Sequence, residues 1–314
     1  GMTTKERQEG VAQALPRQEG MLIEIMIKLW AAIVALALIF RDCFVAFITN
    51  LSPVGTFKYK DVSGKAILIT GAGGGLGREL SVRLSARGAS LALWDKDEKA
   101  LKDTEIACRA EGRSPLIKCY RVDMTRRDDI AAFGTLDMLI NNAGVGFGGK
   151  ILEQPDEHIR MTLEVNAICH FWMAKEFLPG MLHKDAGHIV TIASMGALFS
   201  SAQDMIPYCT SKFAALAIQE GLENETTCMG KTGLRFTTIC PSYFQTKLMT
   251  DMTTKPGVPI MTTDYVATRA IDAILTEQRI AIIPTRNYLL YAFKGILPRA
   301  TFQRIITTVF RNQR

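Results

Sequence analysis

The sequence contains few of the residues that build a disulfide framework or a metal site. Its 314 residues include seven cysteines and four histidines, and no two cysteines form a Cys-x-x-Cys pair. An odd and scattered set of cysteines predicts neither a disulfide framework nor a zinc site, and it favours a reducing compartment. The histidines lack metal-ligand spacing, so we expect no metal and interpret them as structural or surface residues: His158, His170, His183 and His188.

A continuous apolar stretch long enough to cross a bilayer is also missing. The run Leu29–Phe40 has 12 residues between Lys28 and Arg41, whereas a spanning helix needs about 20. A span with charges at its ends, a surface-inserted anchor, a signal peptide and an amphipathic core helix are the alternatives. Of these, membrane attachment is our prediction. The expected order is a polar extension at 1–20, a hydrophobic membrane anchor at 21–51 and a linker at 52–64.

Acidic residues are absent from the C-terminal end. Segment 286–314 mixes apolar residues with cations only: Arg286, Lys294, Arg299, Arg304, Arg311 and Arg314. This composition predicts an element that lies on anionic lipid. The alternative is an ordinary C-terminal helix packed on the domain. We expect no nucleic-acid partner, because no basic stripe with interleaved aromatic residues occurs elsewhere.

Between these ends, apolar strand candidates alternate with helical stretches. Alternation of this kind predicts an α/β fold with a doubly wound parallel sheet, the Rossmann arrangement, over residues 65–285. The predicted strands are Ala66–Thr70, Ser90–Trp94, Ile117–Val122, Met138–Asn141, His188–Ala193, Arg235–Cys240 and Ile280–Pro284.

The first strand leads directly into a glycine-rich turn that opens a helix. Glycines allow the backbone to approach a pyrophosphate, and the helix N-terminus stabilises its negative charge. The predicted contacts are Gly71, Gly75, Leu76 and Gly77. A flexible glycine loop without a ligand is the alternative, but the order strand, turn, helix and second strand argues against it.

The ends of the next strands supply further cofactor contacts. Asp95 can accept hydrogen bonds from both adenosine ribose hydroxyls and would repel a 2′-phosphate, so NAD is favoured. Lys96 and Arg78 are nearby cations that keep NADP possible. Past the third and fourth strands, Asp123 with Met124 is expected near the adenine and Asn141 near the ribose.

Tyr208 and Lys212 lie one helical turn apart and predict the reactive group. A tyrosine with an ordinary pKa near 10 is poorly suited to move a proton at neutral pH, and a neighbouring ammonium lowers that pKa. We expect Ser194 to hold the substrate oxygen and Asn166 to anchor a water that leads protons to Lys212. A nucleophilic Cys209 is the weaker interpretation, because small buried cysteines are common.

Together these motifs resemble the short-chain dehydrogenase/reductase family over about residues 62–285. Thr70–Gly77 is similar to its Thr-Gly-x-x-x-Gly-x-Gly pattern, and Asn141–Gly144 to its Asn-Asn-Ala-Gly. Asn166, Ser194, Tyr208 and Lys212 fall on its catalytic tetrad. Pro241–Thr246 is similar to the element that contacts the nicotinamide side, which implies a cofactor contact for Thr246.

The termini and several local motifs resemble one membrane-associated branch of that family. This branch holds microsomal retinol dehydrogenases and 17-beta-hydroxysteroid dehydrogenases of types 11 and 13. The resemblance implies a lipophilic alcohol such as a retinoid or steroid as substrate, and residence at the endoplasmic reticulum membrane or lipid droplet with the catalytic domain in the cytosol. It also implies a homodimer. The apolar loop Lys247–Thr263 is expected to cover the substrate.

The sequence departs from the family pattern at three places. The spacing from Ser194 to Tyr208 is one residue longer than usual, and Ser242 replaces a glycine. Only Met124–Thr135 separates the third and fourth strands, which leaves little room for a crossover helix and predicts a less protected patch of sheet. For this reason a membrane-surface protein that keeps the fold with little catalysis stays as an alternative to the enzyme. An NADP-linked ketone reductase, which differs in cofactor and direction, is a further alternative.

Overall fold

The computed structural model describes residues 23–38, 41, 44–45, 48, 52–130, 134–200, 204–246 and 260–310. The predicted extension 1–20 and residues 247–259 of the predicted substrate loop lie outside this part. The chain divides into two units, residues 1–52 and 53–314.

In the first unit, residues 23–38 form a helix, α1, whose residues are all exposed. Its large apolar side chains include Trp30, with 68% of its surface exposed, and Leu29, with 60%. Among the described residues no helix is both long and apolar enough to span a bilayer.

The second unit is built on a seven-stranded sheet with strand order β3-β2-β1-β4-β5-β6-β7, parallel throughout. Apolar strands buried on both faces suit a parallel sheet covered by helices. The predicted doubly wound fold and all seven strands are confirmed, with ends shifted by one residue at most. The strands are β1 (Ala66–Thr70), β2 (Ser90–Asp95), β3 (Ile117–Arg121), β4 (Met138–Asn141), β5 (Gly187–Ile192), β6 (Leu234–Pro241) and β7 (Ile280–Ile283).

Helices cover both faces of this sheet. The core cluster on one face is formed with α2, α3 and α8, and that on the other face is formed with α4 and α6. The helices of this unit are α2 (Gly75–Ser85), α3 (Glu98–Ala110), α4 (Arg127–Ile130), α5 (Asp156–Leu163), α6 (Cys169–Lys184), α7 (Ile206–Cys228), α8 (Thr263–Leu275), α9 (Asn287–Ile296) and α10 (Arg299–Phe310). A π-helical turn, Glu164–Ile168, joins α5 to α6.

Among the described residues of the short crossover between β3 and β4, Arg127–Ile130 form the single turn α4. Its Ile130 is buried, and so is Trp94 on the sheet. Phe177 of α6 packs on Trp94 with ring centres 6.0 Å apart. The expected unprotected patch is therefore not found among the described residues, because large side chains of β2 and α6 fill the space.

The segment before β1 packs on the domain. The Lys60 main-chain N–H donates to the Leu275 carbonyl at 2.9 Å. The Lys60 ammonium lies 2.6 Å from Nδ1 of His188, whose Nε2 lies 2.8 Å from the Thr237 hydroxyl. His188 is thus a buried and partnered core residue, as expected from the sequence.

The C-terminal helices pack one face on the domain and expose another. Phe302 of α10 is buried and meets Phe199 edge to face at 5.8 Å between ring centres. On α9, Leu289 and Ile296 are exposed by 64% and 76%, and Phe293 between them by 39%. The segment is thus docked on the domain and still presents an apolar face, while its contact with lipid stays a prediction.

Candidate active site

The glycine turn between β1 and α2 is held tightly against neighbouring backbone. Gly71 has a positive φ of 64°, a conformation that suits glycine. A Cβ built on Gly77 would lie 2.1 Å from the Gly71 carbonyl oxygen, so a side chain there cannot fit without a shift of the backbone. Gly77 therefore serves the close approach of helix and turn.

Asn142, directly after β4, forms hydrogen bonds to the same turn. Its Nδ2 donates to the carbonyls of Thr70 at 2.9 Å and Gly71 at 3.1 Å. The Thr70 hydroxyl oxygen accepts from the main-chain N–H groups of Asn142 and Ala143, each at 3.0 Å. The sequence assigned the neighbouring Asn141 to the cofactor. Asn141 is buried in the sheet, and its Oδ1 has no hydrogen-bond partner.

Beside the turn, the Asp95 carboxylate ends β2. Its Oδ2 accepts from the Gly73 N–H at 2.9 Å, and its Oδ1 accepts from the Asp97 N–H at 3.0 Å. The N-terminus of α2 begins at the same place, and Gly74 gives it no side-chain cap. Main-chain N–H groups are thus left for an anion, which fits the pyrophosphate of a dinucleotide.

A cavity of about 600 Å³ extends from this turn to the N-terminal part of α7. The predicted residues that line it are Gly71, Gly75, Leu76, Asp95, Ser194, Tyr208, Lys212 and Thr246. Within the described part of the chain, five other predicted residues lie outside this lining: Gly77, Asp123, Met124, Asn141 and Asn166.

The Asp123 carboxylate makes hydrogen bonds within a local turn. Its Oδ1 accepts from the Thr125 N–H at 3.0 Å and from the Thr125 hydroxyl at 2.8 Å. The hydrogen bond from the Thr125 main-chain N–H to its carboxylate lowers the pKa of Asp123. A cofactor contact for Asp123 and Met124 stays a prediction.

The reactive side chains meet where β5 and α7 approach each other. Ser194 follows β5, and its hydroxyl oxygen accepts from the Gly196 N–H at 3.0 Å. Tyr208 and Lys212 stand one turn apart on α7 and face the same cavity. The turn around Ser242 carries no positive φ, so a serine in place of the family's glycine costs no backbone strain there.

Burial dominates the ionisation of this pair. It raises the pKa of Tyr208 to about 12, while a hydrogen bond with Ser194 acts in the opposite direction. The Lys212 ammonium lies 5.8 Å from the centre of the Tyr208 ring. Loss of solvent is thus the largest influence on Tyr208, and the expected lowering of its pKa by Lys212 stays a prediction.

Lys212 itself is buried, and its Nζ donates to the Ile192 carbonyl at 2.9 Å. Burial lowers the pKa of Lys212 to about 8, because an ammonium loses hydration there. At neutral pH the side chain remains a cation, directed at the carboxyl end of β5.

Asn166 connects the β4 end to α7 through its whole side-chain amide. Oδ1 accepts from the Val145 N–H at 2.8 Å, and Nδ2 donates to the Val145 carbonyl at 2.8 Å and to the Ser211 hydroxyl at 2.9 Å. Its side chain therefore positions backbone, and the expected water anchor stays a prediction. Asn142 and Ser211 were not predicted as site residues, although both lie inside the motifs that predicted their neighbours.

The buried Lys212 makes a pH effect on stability testable. A folded pKa of about 8 against the ordinary 10.5 means that the unfolded chain binds more protons between these values, so stability rises with pH in that window. Between pH 8 and 10.5, we expect the free energy of unfolding to rise by about 3 kcal/mol more than it does in Lys212→Met. Urea unfolding of both proteins at pH 8 and 10.5 measures the difference. Parallel pH curves for the two proteins would contradict it.

Comparison with known proteins agrees with this geometry. The family model described as short chain dehydrogenase matches residues 65–257. Human 17-beta-hydroxysteroid dehydrogenase 13 is 34% identical over 76% of this chain and 81% of its own length. Mouse epidermal retinol dehydrogenase 2 is 36% identical over 77% and 81%, and human estradiol 17-beta-dehydrogenase 11 is 35% identical over 80% and 86%.

Solved structures show the same fold. A short-chain dehydrogenase from Burkholderia phymatum in complex with NAD is 25% identical, with a TM-score of 0.66 over 76% of this chain and 95% of that one. One from Sphingobium yanoikuyae in complex with NADPH matches with a TM-score of 0.64 over 75% and 97%, at 23% identity. The chain therefore belongs to the short-chain dehydrogenase family, whose members are nicotinamide-dependent oxidoreductases acting on CH–OH groups.

Proposed function

We propose that this protein oxidises a lipophilic alcohol to its carbonyl compound, with NAD as the hydride acceptor. The observation that carries this proposal is one cavity lined by Ser194, Tyr208 and Lys212 as well as by the glycine turn and Asp95. The decisive experiment is Tyr208→Phe, which removes the phenol oxygen and should abolish most of the alcohol oxidation.

The side chains divide the proton chemistry between them. The Ser194 hydroxyl donates a hydrogen bond to the substrate oxygen, and the Tyr208 phenolate accepts the hydroxyl proton. Lys212, a cation 5.8 Å from the tyrosine ring, favours negative charge on that oxygen. The nicotinamide, when bound, supplies the acceptor for the hydride that leaves the carbinol carbon.

The remaining lining explains why the substrate should be apolar. A mostly apolar cavity with few polar groups binds an apolar body and fixes its one reactive oxygen. The apolar members of the lining include Val145, Phe147, Met161, Met195, Met205, Tyr243 and Phe244. The relatives named for retinol and for hydroxysteroids support an alcohol of this type.

Asp95 is the basis for preferring NAD. A carboxylate next to the Gly73 N–H would repel a cofactor with a 2′-phosphate. In Asp95→Asn the amide oxygen can still accept from Gly73, but the charge is gone. We expect the ratio of NADH to NADPH affinity to fall by about tenfold. Fluorescence titration measures both affinities, with Asp103→Asn as the control; an unchanged ratio would argue against this role.

We also propose that the chain attaches to a membrane. Support comes from the exposed apolar side chains of α1 and from the α9 face formed by Leu289, Phe293 and Ile296. Arg286 precedes that face by one turn, and segment 286–314 lacks acidic residues. Anionic lipid therefore complements both its apolar and its basic character.

Flotation with vesicles tests the α9 contribution. The full chain should float with anionic vesicles, and Leu289→Ser with Ile296→Ser should lower the bound fraction. Ile106→Ser, which changes an exposed isoleucine on α3, is the matched control. Equal flotation of all three proteins would remove α9 from the proposal and leave α1.

The structure gives little support to the alternative of a membrane-surface protein that keeps the fold with little catalysis. It rested on the short crossover between β3 and β4, but Ile130 and Leu136 on either side of its undescribed residues are buried. Burial of the residues on either side favours the enzyme.

A further inference from the structure

Two loops meet on the side of the cavity next to the reactive tyrosine. The loop after β4 brings Phe147 into the lining, and the loop before α7 brings Met205, three residues ahead of Tyr208. A Cβ built on Gly148 would lie 3.9 Å from the Met205 sulfur. The loops therefore touch, and Phe147 and Met205 form one wall, here called the Phe147 wall.

The Phe147 ring stacks on the ring of a histidine. His158, in the first turn of α5, stacks on Phe147 with ring centres 4.0 Å apart and planes inclined by 12°. A stacked aromatic neighbour restricts where a ring can lie. Because His158 belongs to a helix, the orientation of Phe147 depends on α5 as well as on its own loop.

A main-chain hydrogen bond joins the two loops. The Gly149 N–H donates to the Asp204 carbonyl at 2.8 Å. Asp204 has a positive φ of 60°, a conformation that non-glycine residues adopt only rarely and that neighbouring structure must hold. It lies in the segment from Ser194 to Tyr208 that is one residue longer than the family's usual spacing. The described end of this segment is thus hydrogen-bonded to the loop of Phe147.

We propose that the Phe147 wall determines substrate selectivity, with His158 as its positioning residue. This inference rests on the proposed alcohol oxidation for its substrate, since the wall flanks the site of the reacting oxygen. Because His158 restricts the position of Phe147, the wall should select substrates by shape. It should bind a rigid, flat apolar alcohol more tightly than a flexible one. Phe147 and His158 lie on other elements than Ser194, Tyr208 and Lys212, so substitutions at these two positions should act on KM rather than on kcat.

Kinetics with two alcohols of similar size, a rigid fused-ring secondary alcohol and a flexible saturated one, test this role. Phe147→Ala should lower kcat/KM for the rigid alcohol by about tenfold or more, mostly through KM, and should affect the flexible alcohol less. His158→Ala should act in the same direction, and His158→Phe should restore selectivity by keeping a stacked ring. His183→Ala, which changes an exposed histidine, is the control. Equal losses for both alcohols, or no rescue by His158→Phe, would overturn the inference.

A binding measurement separates this inference from the proposed function. Fluorescence anisotropy of a rigid polyene alcohol reports affinity without turnover. If no alcohol is oxidised but the probe binds and Phe147→Ala weakens that binding by about tenfold, the proposed function fails and the wall stands. If the alcohols are oxidised and the probe binds equally to both proteins, the wall fails and the proposed function stands.

Discussion

Tyr208→Phe should lower the rate of alcohol oxidation by about 10²–10⁴-fold, the usual contribution of a positioned acid or base. The variant keeps the ring but loses the oxygen that accepts the substrate proton, while Ser194 and Lys212 remain in the cavity. Reduced-cofactor absorbance at saturating NAD and alcohol measures the loss. Affinity for NADH should stay near that of the unchanged protein.

The pH profile adds a second readout for Tyr208. Burial raises the pKa of Tyr208 to about 12, so the phenolate fraction and the oxidation rate should rise with pH through the neutral range. The residual rate of Tyr208→Phe should lack this rise. Tyr265→Phe, which changes an exposed tyrosine on α8, should behave like the unchanged protein. Oxidation undiminished in Tyr208→Phe would contradict the assignment of the base.

Gly77→Ala should lower the affinity for NADH by about 10²-fold, or leave too little folded protein to bind it. The added Cβ would lie 2.1 Å from the Gly71 carbonyl oxygen and 2.6 Å from Asn142 Nδ2, so the turn that lines the cavity has to move. A misplacement of about 1 Å in such a site costs on the order of 10²-fold. Fluorescence titration with NADH measures the affinity, and circular dichroism shows whether the chain is folded.

Gly221→Ala is the matched control for Gly77→Ala. It makes the same change inside another helix, and nothing lies within 4 Å of the added Cβ. Its NADH affinity should be unchanged, and its stability should be equal or slightly higher, because alanine favours a helix over glycine by up to about 1 kcal/mol. NADH affinity retained in Gly77→Ala would show that the turn tolerates a side chain.

The sheet could be predicted because its strands are short apolar runs separated by helical stretches. Buried parallel strands need side chains that are apolar on both faces, and β1 and β4 carry this signal in consecutive residues. The reactive group could also be predicted, because Tyr208 and Lys212 lie at helical spacing on one element.

Long-range packing decided the features that the sequence did not predict. Either asparagine of Asn141–Asn142 could face the glycine turn, and only the register of β4 places Asn142 there. The closed crossover depends on Phe177, which is distant in sequence from Trp94. The raised pKa of Tyr208 depends on burial by several elements, a quantity that the spacing to Lys212 does not contain.

The transfer of a labelled hydride shows whether the protein oxidises an alcohol with NAD. The full chain in membranes is incubated with NAD and a panel of lipophilic alcohols that carry deuterium on the carbinol carbon, and mass spectrometry follows both products. We expect a carbonyl product from at least one alcohol, with one deuterium on the reduced nicotinamide for each molecule formed. Carbonyl product without deuterium on the nicotinamide, or no product from any alcohol while NADH binds, would contradict it.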